Sequence, residues 1–284
     1  MVRTVRSIEE EARVRQVSGV GLDAFLADPY LRDLIEGPNI ASVVAWAVDG
    51  GRRVLVVGLE DRGRLALALA EAGMFVTVVE PNEALHAPVR AMAEEGKFSM
   101  RMNFYASEYM QRDFAASGFD VAVFFSVLSR YNEPVVVLKK AARELRAGGR
   151  VFARIRTRPP VSAVNSMATR IHAIERVVRH AQDRISEVVS RIPGLATLAG
   201  LPEAEDFLRQ TGEVFKLTAS ARMHLLAPVG GWLASRDPTL RRLVPALLRL
   251  DKAILRLPRT EALALYCQVF GTKELGLGRT FRLM

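Results

Sequence analysis

Short apolar segments alternate with helix-like segments between residues 53 and 155, and this alternation constrains the fold more than any other feature. The apolar segments are 53–58, 74–79, 100–105, 119–125 and 148–155. Strands that alternate with helices form parallel sheets in which the helices are the crossover connections. Ligands of such sheets bind at the carboxyl ends of the strands. The sequence therefore predicts an α/β fold with a binding site in the loops that follow these strands.

Helix-like segments precede and follow this core. Ser7-Ile-Glu-Glu10 has the capping-box pattern of a helix start, and residues 23–36 and 39–48 are predicted to form two further helices. Within the core, the helix that starts at Asn132 is expected to end at Gly148-Gly149. Five further elements are predicted after the core. They are a long helix at 161–192, a short helix at 203–211, a strand at 213–224, a helix at 238–257 with a break at Pro245, and a last strand at 264–270.

This order of segments predicts four parts of the chain. They are a helical N-terminal segment at 1–50, the sheet core at 51–157, a helical insert or lid at 158–212, and a final part at 213–284. The final part is expected to hold the last two strands, with a helical insertion between them at 226–262.

Composition sets the class of protein. The 284 residues, half of them hydrophobic, suffice for one full core with helical additions. The single cysteine, Cys267, gives no internal disulfide and is predicted to be a small buried residue, which is typical of a reducing compartment. No segment approaches the roughly 20 apolar residues of a membrane-spanning helix, and the charged N-terminus has no secretory pattern. We therefore expect a cytoplasmic protein.

The net charge of +9 leaves two interpretations open. Only six of the 40 basic residues are lysine, so arginine dominates. One interpretation is a nucleic-acid or anionic-membrane partner. The other is a general bias toward arginine, and the dispersal of the charges along the chain favours it.

The loop after the first strand has an acidic character that restricts the ligand. A dinucleotide site requires G-x-G-x-x-G, with a middle glycine that lets the backbone approach a pyrophosphate. Here Gly58 and Gly63 bracket the loop and Glu60 stands at the middle position, followed by Asp61. Their charges repel a diphosphate and attract a cation. S-adenosylmethionine, which carries a sulfonium and an ammonium, suits this loop on electrostatic grounds.

Five successive motifs resemble those of class I S-adenosylmethionine-dependent methyltransferases. They are Val54-Leu-Val-Val-Gly58, Leu69-Ala-Glu-Ala-Gly73, Val76-Thr-Val-Val-Glu80-Pro-Asn82, Phe119-Asp-Val-Ala-Val-Phe-Phe-Ser126-Val-Leu128 and Ala142-Arg-Glu-Leu-Arg-Ala-Gly-Gly149. The resemblance implies a Rossmann-like, seven-stranded, mostly parallel sheet whose last strand is antiparallel. It also implies S-adenosylmethionine as the cofactor.

By this resemblance, the first loop would cradle the methionine part of the cofactor. Gly58 and Gly63 would bracket that cradle, with Glu60 between them. The loop departs from the family pattern because Val56 stands where an acidic residue is usual, two positions before the first glycine. The departure leaves open a member of the fold that no longer binds the cofactor.

The resemblance assigns the remaining cofactor contacts to the loops after strands two, three and four. Glu80 would hold the ribose hydroxyls, with Asn82 beside it. Ser107 or Glu108 would lie by the adenine, and Ser126 would line the pocket near the methyl group.

The candidates for catalysis are few. Methyl transfer from a sulfonium depends largely on proximity and orientation, and a general base is needed only if the acceptor must lose a proton. The candidates for such a base are Tyr131 after strand four, His172 and His180 on the long helix, and His224 at the end of the penultimate strand. The sequence has no Asn/Asp-Pro-Pro-Tyr signature of amino-group methyltransferases and no motif that predicts a metal site.

The acceptor is left open among three hypotheses. Residues 240–257 form an amphipathic, mainly basic stretch that either packs on the core or makes a peripheral membrane contact. The first hypothesis is therefore a methyltransferase for a small-molecule or lipid-like acceptor. The second is an RNA methyltransferase, which the lack of an aromatic-interleaved basic patch disfavours. The third is a non-catalytic binding subunit, and the oligomeric state is not predicted.

Overall fold

The computed structural model describes residues 29–157, 202–223, 242–255 and 266–274. The predicted capping box at 7–10, the long helix at 161–192 and the three histidines His172, His180 and His224 lie outside the described residues. The predicted division into four parts stays a prediction. Among the described residues, no helix combines the length and the apolar character needed to cross a bilayer.

A seven-stranded sheet forms the centre of the molecule, with the strand order β3-β2-β1-β4-β5-β7-β6. The strands are β1 (Arg53–Val57), β2 (Phe75–Val79), β3 (Met102–Tyr105), β4 (Phe119–Phe125), β5 (Leu145–Arg156), β6 (Lys216–Met223) and β7 (Tyr266–Thr272). Neighbours among β1 to β5 pair in parallel, and β7 is antiparallel to both β5 and β6. This arrangement confirms the predicted fold, and it brings the carboxyl ends of all strands except β7 to one edge.

Six α-helices are described. They are α1 (Pro29–Val48), α2 (Arg64–Glu71), α3 (His86–Glu95), α4 (Pro134–Glu144), α5 (Ala204–Gly212) and α6 (Val244–Ile254). Successive strand residues point to opposite faces of the sheet. Val54 and Val56 accordingly join an apolar layer with α1, α2 and α3, while Leu55 and Val57 join a second layer with α4 and α5. Because both faces are covered, β4 is buried at all seven positions.

Helix α1 runs through Gly37-Pro38, so the prediction of two helices separated there was wrong. Proline removes one intrahelical hydrogen bond, but Gly37 has no Cβ to clash with the proline ring. The buried stripe of Glu36, Ile40, Val43 and Ala47 continues at helical spacing across this point. Packing of that stripe on the core outweighs the local cost of the proline.

The predicted boundary between α4 and β5 was also wrong. Helix α4 ends at Glu144 and β5 begins at Leu145, so that Gly148-Gly149 lies inside the strand. Gly148 has a φ of +70°, and the pairing of β5 with β4 shifts register near this point. The two glycines therefore form an irregularity in the strand.

Smaller corrections concern two segment starts. Strand β3 begins at Met102 because residues 99–101 form a 3-10 turn. Pro245 lies in the first turn of α6, where its missing N–H costs nothing, so it does not interrupt that helix. Cys267 is buried in β7, as predicted, and burial raises the pKa of its thiol to about 12.

A carboxylate links neighbouring strands by hydrogen bonds at the amino-terminal edge of the sheet, opposite the predicted binding edge. Asp120, in the second position of β4, accepts hydrogen bonds from the backbone N–H groups of Arg52 and Arg53, at 3.0 and 2.9 Å, and from the Arg146 side chain at 2.8 Å. Partial burial favours the neutral carboxyl, but these hydrogen bonds and that of the Arg53 side chain lower the pKa of Asp120 to about 2.

Candidate cofactor site

Glu80 is a fully buried carboxylate at the carboxyl end of β2. Its Oε2 accepts the backbone N–H of Leu59 at 3.1 Å, and its Oε1 accepts the backbone N–H of Asn82 at 3.0 Å. Two loops, one after β1 and one after β2, thus fix its orientation. A carboxylate held in this way is rigid and offers one further acceptor position on each oxygen.

Arg130 fills those positions, and the sequence analysis did not identify it. It ends the 3-10 turn Val127–Arg130 that follows β4, and its Nη1 lies 3.4 and 3.3 Å from the two oxygens of Glu80. Its Nε lies 2.5 Å from Oε1 of Glu60. Arg130 therefore links two residues that the resemblance assigned to the cofactor. A ribose diol that binds Glu80 has to replace the two long Nη1 contacts.

Glu108 and Tyr131 lie beside this group. Burial raises the pKa of Glu108, the charge of Arg130 opposes this rise, and the charge of Glu80 adds to it. Burial also raises the pKa of the Tyr131 hydroxyl, with the charges of Glu108 and Glu80 adding to the effect. The phenol therefore keeps its proton at neutral pH, so Tyr131 is suited to donate a hydrogen bond and poorly suited to act as a base.

The two residues predicted near the adenine and ribose differ in their hydrogen bonding. The Ser107 hydroxyl, shortly after β3, is buried and has no hydrogen-bond partner within the described part of the chain. Buried hydroxyls normally have one, so the hydrogen-bonding capacity of this group is unused there. The Asn82 side chain instead accepts the N–H of Ala84 at 3.1 Å and caps the 3-10 turn 83–85.

The glycines of the first loop are required by close contacts within the protein. Gly58 has a φ of +84°, and a Cβ added there would lie 2.8 Å from the side chain of Val127. Gly63 has a φ of +79°, and a Cβ added there would overlap Val89 of α3.

Asp61 caps helix α2 and does not face solvent. Its two carboxylate oxygens accept the backbone N–H groups of Gly63 and Leu65, at 2.9 and 2.6 Å. Burial raises its pKa to about 6, with the charge of Glu36 adding to the rise and the two backbone hydrogen bonds opposing it. The acidic loop of the sequence thus consists of one carboxylate paired with Arg130 and one turned inward.

Ser126 joins a second ionic group, which the sequence analysis also missed. Its φ is +69°, and its hydroxyl accepts a hydrogen bond from Nε of Arg154 at 2.7 Å. Nη2 of Arg154 lies 3.0 Å from Oε1 of Glu36, and both side chains are at least 96% buried. The guanidinium also stacks 3.6 Å over the ring of Phe125. Two features of the sequence could have identified this pair: an arginine inside an apolar strand and a glutamate on the helical stripe that becomes buried.

In the two ionic groups around Glu80 and Glu36, carboxylates outnumber guanidinium groups among the residues that the structure describes. Arg130 and Arg154 face five carboxylates, those of Glu36, Glu60, Asp61, Glu80 and Glu108. Such a site disfavours phosphate-rich nucleotides and favours a nucleoside that carries positive charge. Together with the unpartnered Ser107 hydroxyl, this balance fits an adenosyl group that bears an ammonium.

Comparison with known proteins agrees with this reading. Residues 56–153 match the family model described as a methyltransferase domain. No curated protein matches the chain by sequence.

Three solved structures illustrate the similarity. A proposed sarcosine dimethylglycine methyltransferase from Galdieria sulphuraria is 12% identical, with a TM-score of 0.57 over 86% of this chain and 88% of that one. The (4+2)-cyclase SpnF is 19% identical, with a TM-score of 0.55 over 84% and 81%. A geranyl diphosphate methyltransferase, in complex with GPP and sinefungin, is 11% identical, with a TM-score of 0.52 over 82% and 77%.

Similarity at these identities shows the fold, and the family model adds the class of domain. Residues 56–153 are therefore similar to a methyltransferase domain, and the sheet that contains them has the Rossmann-like topology of class I S-adenosylmethionine-dependent methyltransferases.

Proposed function

We propose that this protein transfers a methyl group from S-adenosylmethionine to a small acceptor with an apolar, lipid-like body. The observation that carries the proposal is Glu80, which is fully buried and fixed by two backbone N–H groups at the carboxyl end of β2. A buried carboxylate of this kind suits a pair of vicinal hydroxyls, because it accepts one hydrogen bond from each.

The residues of the chain would bind and orient the cofactor. Glu80 would accept the ribose hydroxyls, Ser107 would pair with the adenine, and the loop from Gly58 to Gly63 would enclose the methionine part. When bound, S-adenosylmethionine supplies a methyl group that its sulfonium has already activated. Tyr131, protonated and buried, would donate a hydrogen bond to one lone pair of an acceptor oxygen and hold its other lone pair in line with that methyl group.

A cavity supports the choice of acceptor. It has a volume of about 470 Å³ and lies between α1, α6 and the carboxyl end of β6. Leu34, Met223 and Leu248 supply apolar walls. The charged lining consists of Arg222, which pairs with Glu205 at 3.5 Å, Arg249, Lys252 and the buried carboxylate of Asp251. Ligand pockets of small molecules are roughly 300–1,000 Å³ and mostly apolar. Three basic residues beside one carboxylate leave the lining positive, so the cavity suits an acceptor with an apolar body and an acidic group.

Calorimetry with S-adenosylhomocysteine tests the cofactor part of the proposal. We expect saturable binding to the wild-type protein and a dissociation constant about tenfold to a hundredfold higher for Glu80→Gln, since a charge-assisted hydrogen bond is lost. Glu94→Gln, an exposed glutamate on α3, is the matched control and should bind as the wild type does. Equal affinity of the wild type and Glu80→Gln would contradict the role of Glu80.

An acceptor panel tests the second part. S-adenosylhomocysteine release should be measured with isoprenoid acids, fatty acids, polar amines and RNA, at low and moderate salt. We expect turnover with the apolar acids. Turnover with RNA alone, lost at moderate salt, would replace this acceptor class by nucleic acid.

A second candidate function is a binding subunit of the same fold that no longer methylates. The observation in its favour is the contact of Arg130 with Glu80, which occupies the acceptors that the ribose needs. This candidate predicts that the wild type does not bind S-adenosylhomocysteine and that Arg130→Met, which frees the two acceptors of Glu80, gains binding.

A further inference from the structure

Glu36 carries an unused acceptor inside the protein. Its side chain is 97% buried, and its Oε1 pairs with Arg154 at 3.0 Å. Its Oε2 is also buried, yet it accepts no hydrogen bond in the part of the chain that the structure describes. An ionised carboxylate oxygen without a partner in such a place is costly, because desolvation of the charge is uncompensated.

The neighbours of Glu36 do not satisfy this oxygen. Asp61 lies close enough to Glu36 for the charge of Glu36 to raise the pKa of Asp61. Asp61 is itself acidic. Both oxygens of Asp61 already accept backbone N–H groups of Gly63 and Leu65. Arg154 is shared between Glu36, the Ser126 hydroxyl and the ring of Phe125. Two carboxylates and one guanidinium leave a net negative charge, which one cation would neutralise.

The position of this oxygen relates it to the proposed cofactor site. Glu36 lies near the loop after β1, where its charge acts on Asp61. It is also linked to the end of β4, because Arg154 contacts both Glu36 and the hydroxyl of Ser126. Strand β1 contributes no charge there, since Val56 is buried in the apolar layer.

We propose that Glu36 binds the ammonium group of the cofactor's methionine part through Oε2, with Arg154 holding the carboxylate in place. This inference rests on the proposed function. An ammonium fits because it is a compact cation with three N–H donors, whereas the sulfonium has no hydrogen to donate. A divalent metal ion fits poorly, because it requires several oxygen ligands and this position offers one.

The test compares two ligands on two proteins by calorimetry. The ligands are S-adenosylhomocysteine and its analogue in which hydrogen replaces the amino group. We expect the wild type to bind the amino ligand at least about tenfold more tightly. Glu36→Gln should lose most of this preference while its affinity for the desamino analogue changes little. A variant that keeps the full preference overturns the inference.

Controls separate this outcome from the others. Asp33→Asn removes a carboxylate of the same helix that pairs with Arg64 at the surface, and its ligand preference should match the wild type. Glu36→Gln leaves the buried charge of Arg154 without its partner and could fail to fold for that reason. In that case, the comparison of the two ligands on the wild-type protein still tests the inference. Equal binding of the two ligands by the wild type overturns the inference, while no binding of either ligand overturns the proposed function itself.

Discussion

Arg130, from the turn after β4, contacts both carboxylate oxygens of Glu80, at the end of β2. Since Glu80 also accepts two backbone N–H groups, the arginine takes the last acceptor positions of a fully buried carboxylate. The contacts are 3.3 and 3.4 Å long, whereas the contact of Arg130 with Glu60 is 2.5 Å. The arginine is therefore bound more closely to Glu60 and can release Glu80 to a ligand at modest cost.

Arg130→Met should strengthen binding of S-adenosylhomocysteine by about threefold to tenfold, because the ribose no longer competes with a guanidinium. The same change should lower the free energy of unfolding of the ligand-free protein by about 1–3 kcal/mol, since Glu80 loses a charged partner. Calorimetry and urea denaturation measure the two effects. Arg143→Met, at an exposed position on α4, is the control. Binding weakened tenfold would instead show that Arg130 contacts the ligand directly.

The contribution of Asp61 to the free energy of unfolding should decrease as the pH rises. Its folded-state pKa of about 6 lies above the ordinary value of 3.8, so the folded state binds more protons than the unfolded state between these values. The contribution of Asp61 to stability therefore falls as pH rises from about 4 to 6, by up to about 3 kcal/mol.

Urea denaturation of the wild type and Asp61→Asn across this range isolates the effect from other carboxylates, such as Asp120, that titrate in the opposite sense. The stability advantage of the wild type over the variant should shrink between about pH 4 and 7. An advantage that grows with pH would show that Asp61 is ionised at low pH.

Binding of S-adenosylhomocysteine should release protons near pH 6. An ammonium beside Glu36 and Asp61 favours the ionised form of Asp61 and lowers its pKa, so a proton leaves as the ligand binds. Calorimetry in buffers of different ionisation enthalpy should show release of a fraction of one proton near pH 6 and none near pH 8. Asp61→Asn should abolish the release, and proton uptake by the wild type would contradict the placement of the ammonium.

Gly63→Ala should destabilise the fold by about 2–4 kcal/mol. The new Cβ would overlap Val89, and the φ of +79° would strain any residue other than glycine. Urea denaturation of Gly63→Ala with and without Val89→Ala separates these two causes. The second change should recover the part due to overlap and leave the backbone strain. Full recovery would show that the backbone angle costs nothing.

The sheet was predictable because its strands are local apolar runs with turn residues between them. The continuous helix α1 was not, since the decisive contribution is packing of Ile40, Val43 and Ala47 on a core that a local pattern does not contain. The same reason explains the start of β5. Its first residue, Leu145, belongs to the buried core, whereas the glycine pair suggested a later boundary.

The candidate site was predictable only where a residue's place after a strand determines its role. Glu80 was predicted in this way, and the structure places it directly after β2, while its role in binding stays a prediction. Arg130 and Arg154 were not predicted, since their partners Glu80 and Glu36 lie 50 and 118 positions away in sequence. Such pairs depend on which strand ends and helices the fold brings together, and composition showed only that arginine is abundant.

The central claim is that a carboxylate fixed after β2 binds the ribose of an adenosyl cofactor. The most direct measurement is a calorimetric titration of S-adenosylhomocysteine into the wild type and Glu80→Gln at about pH 7. The account predicts saturable binding to the wild type and a dissociation constant at least about tenfold higher for the variant. No heat with the wild type up to about millimolar ligand, the range of the weakest specific binding, would contradict it.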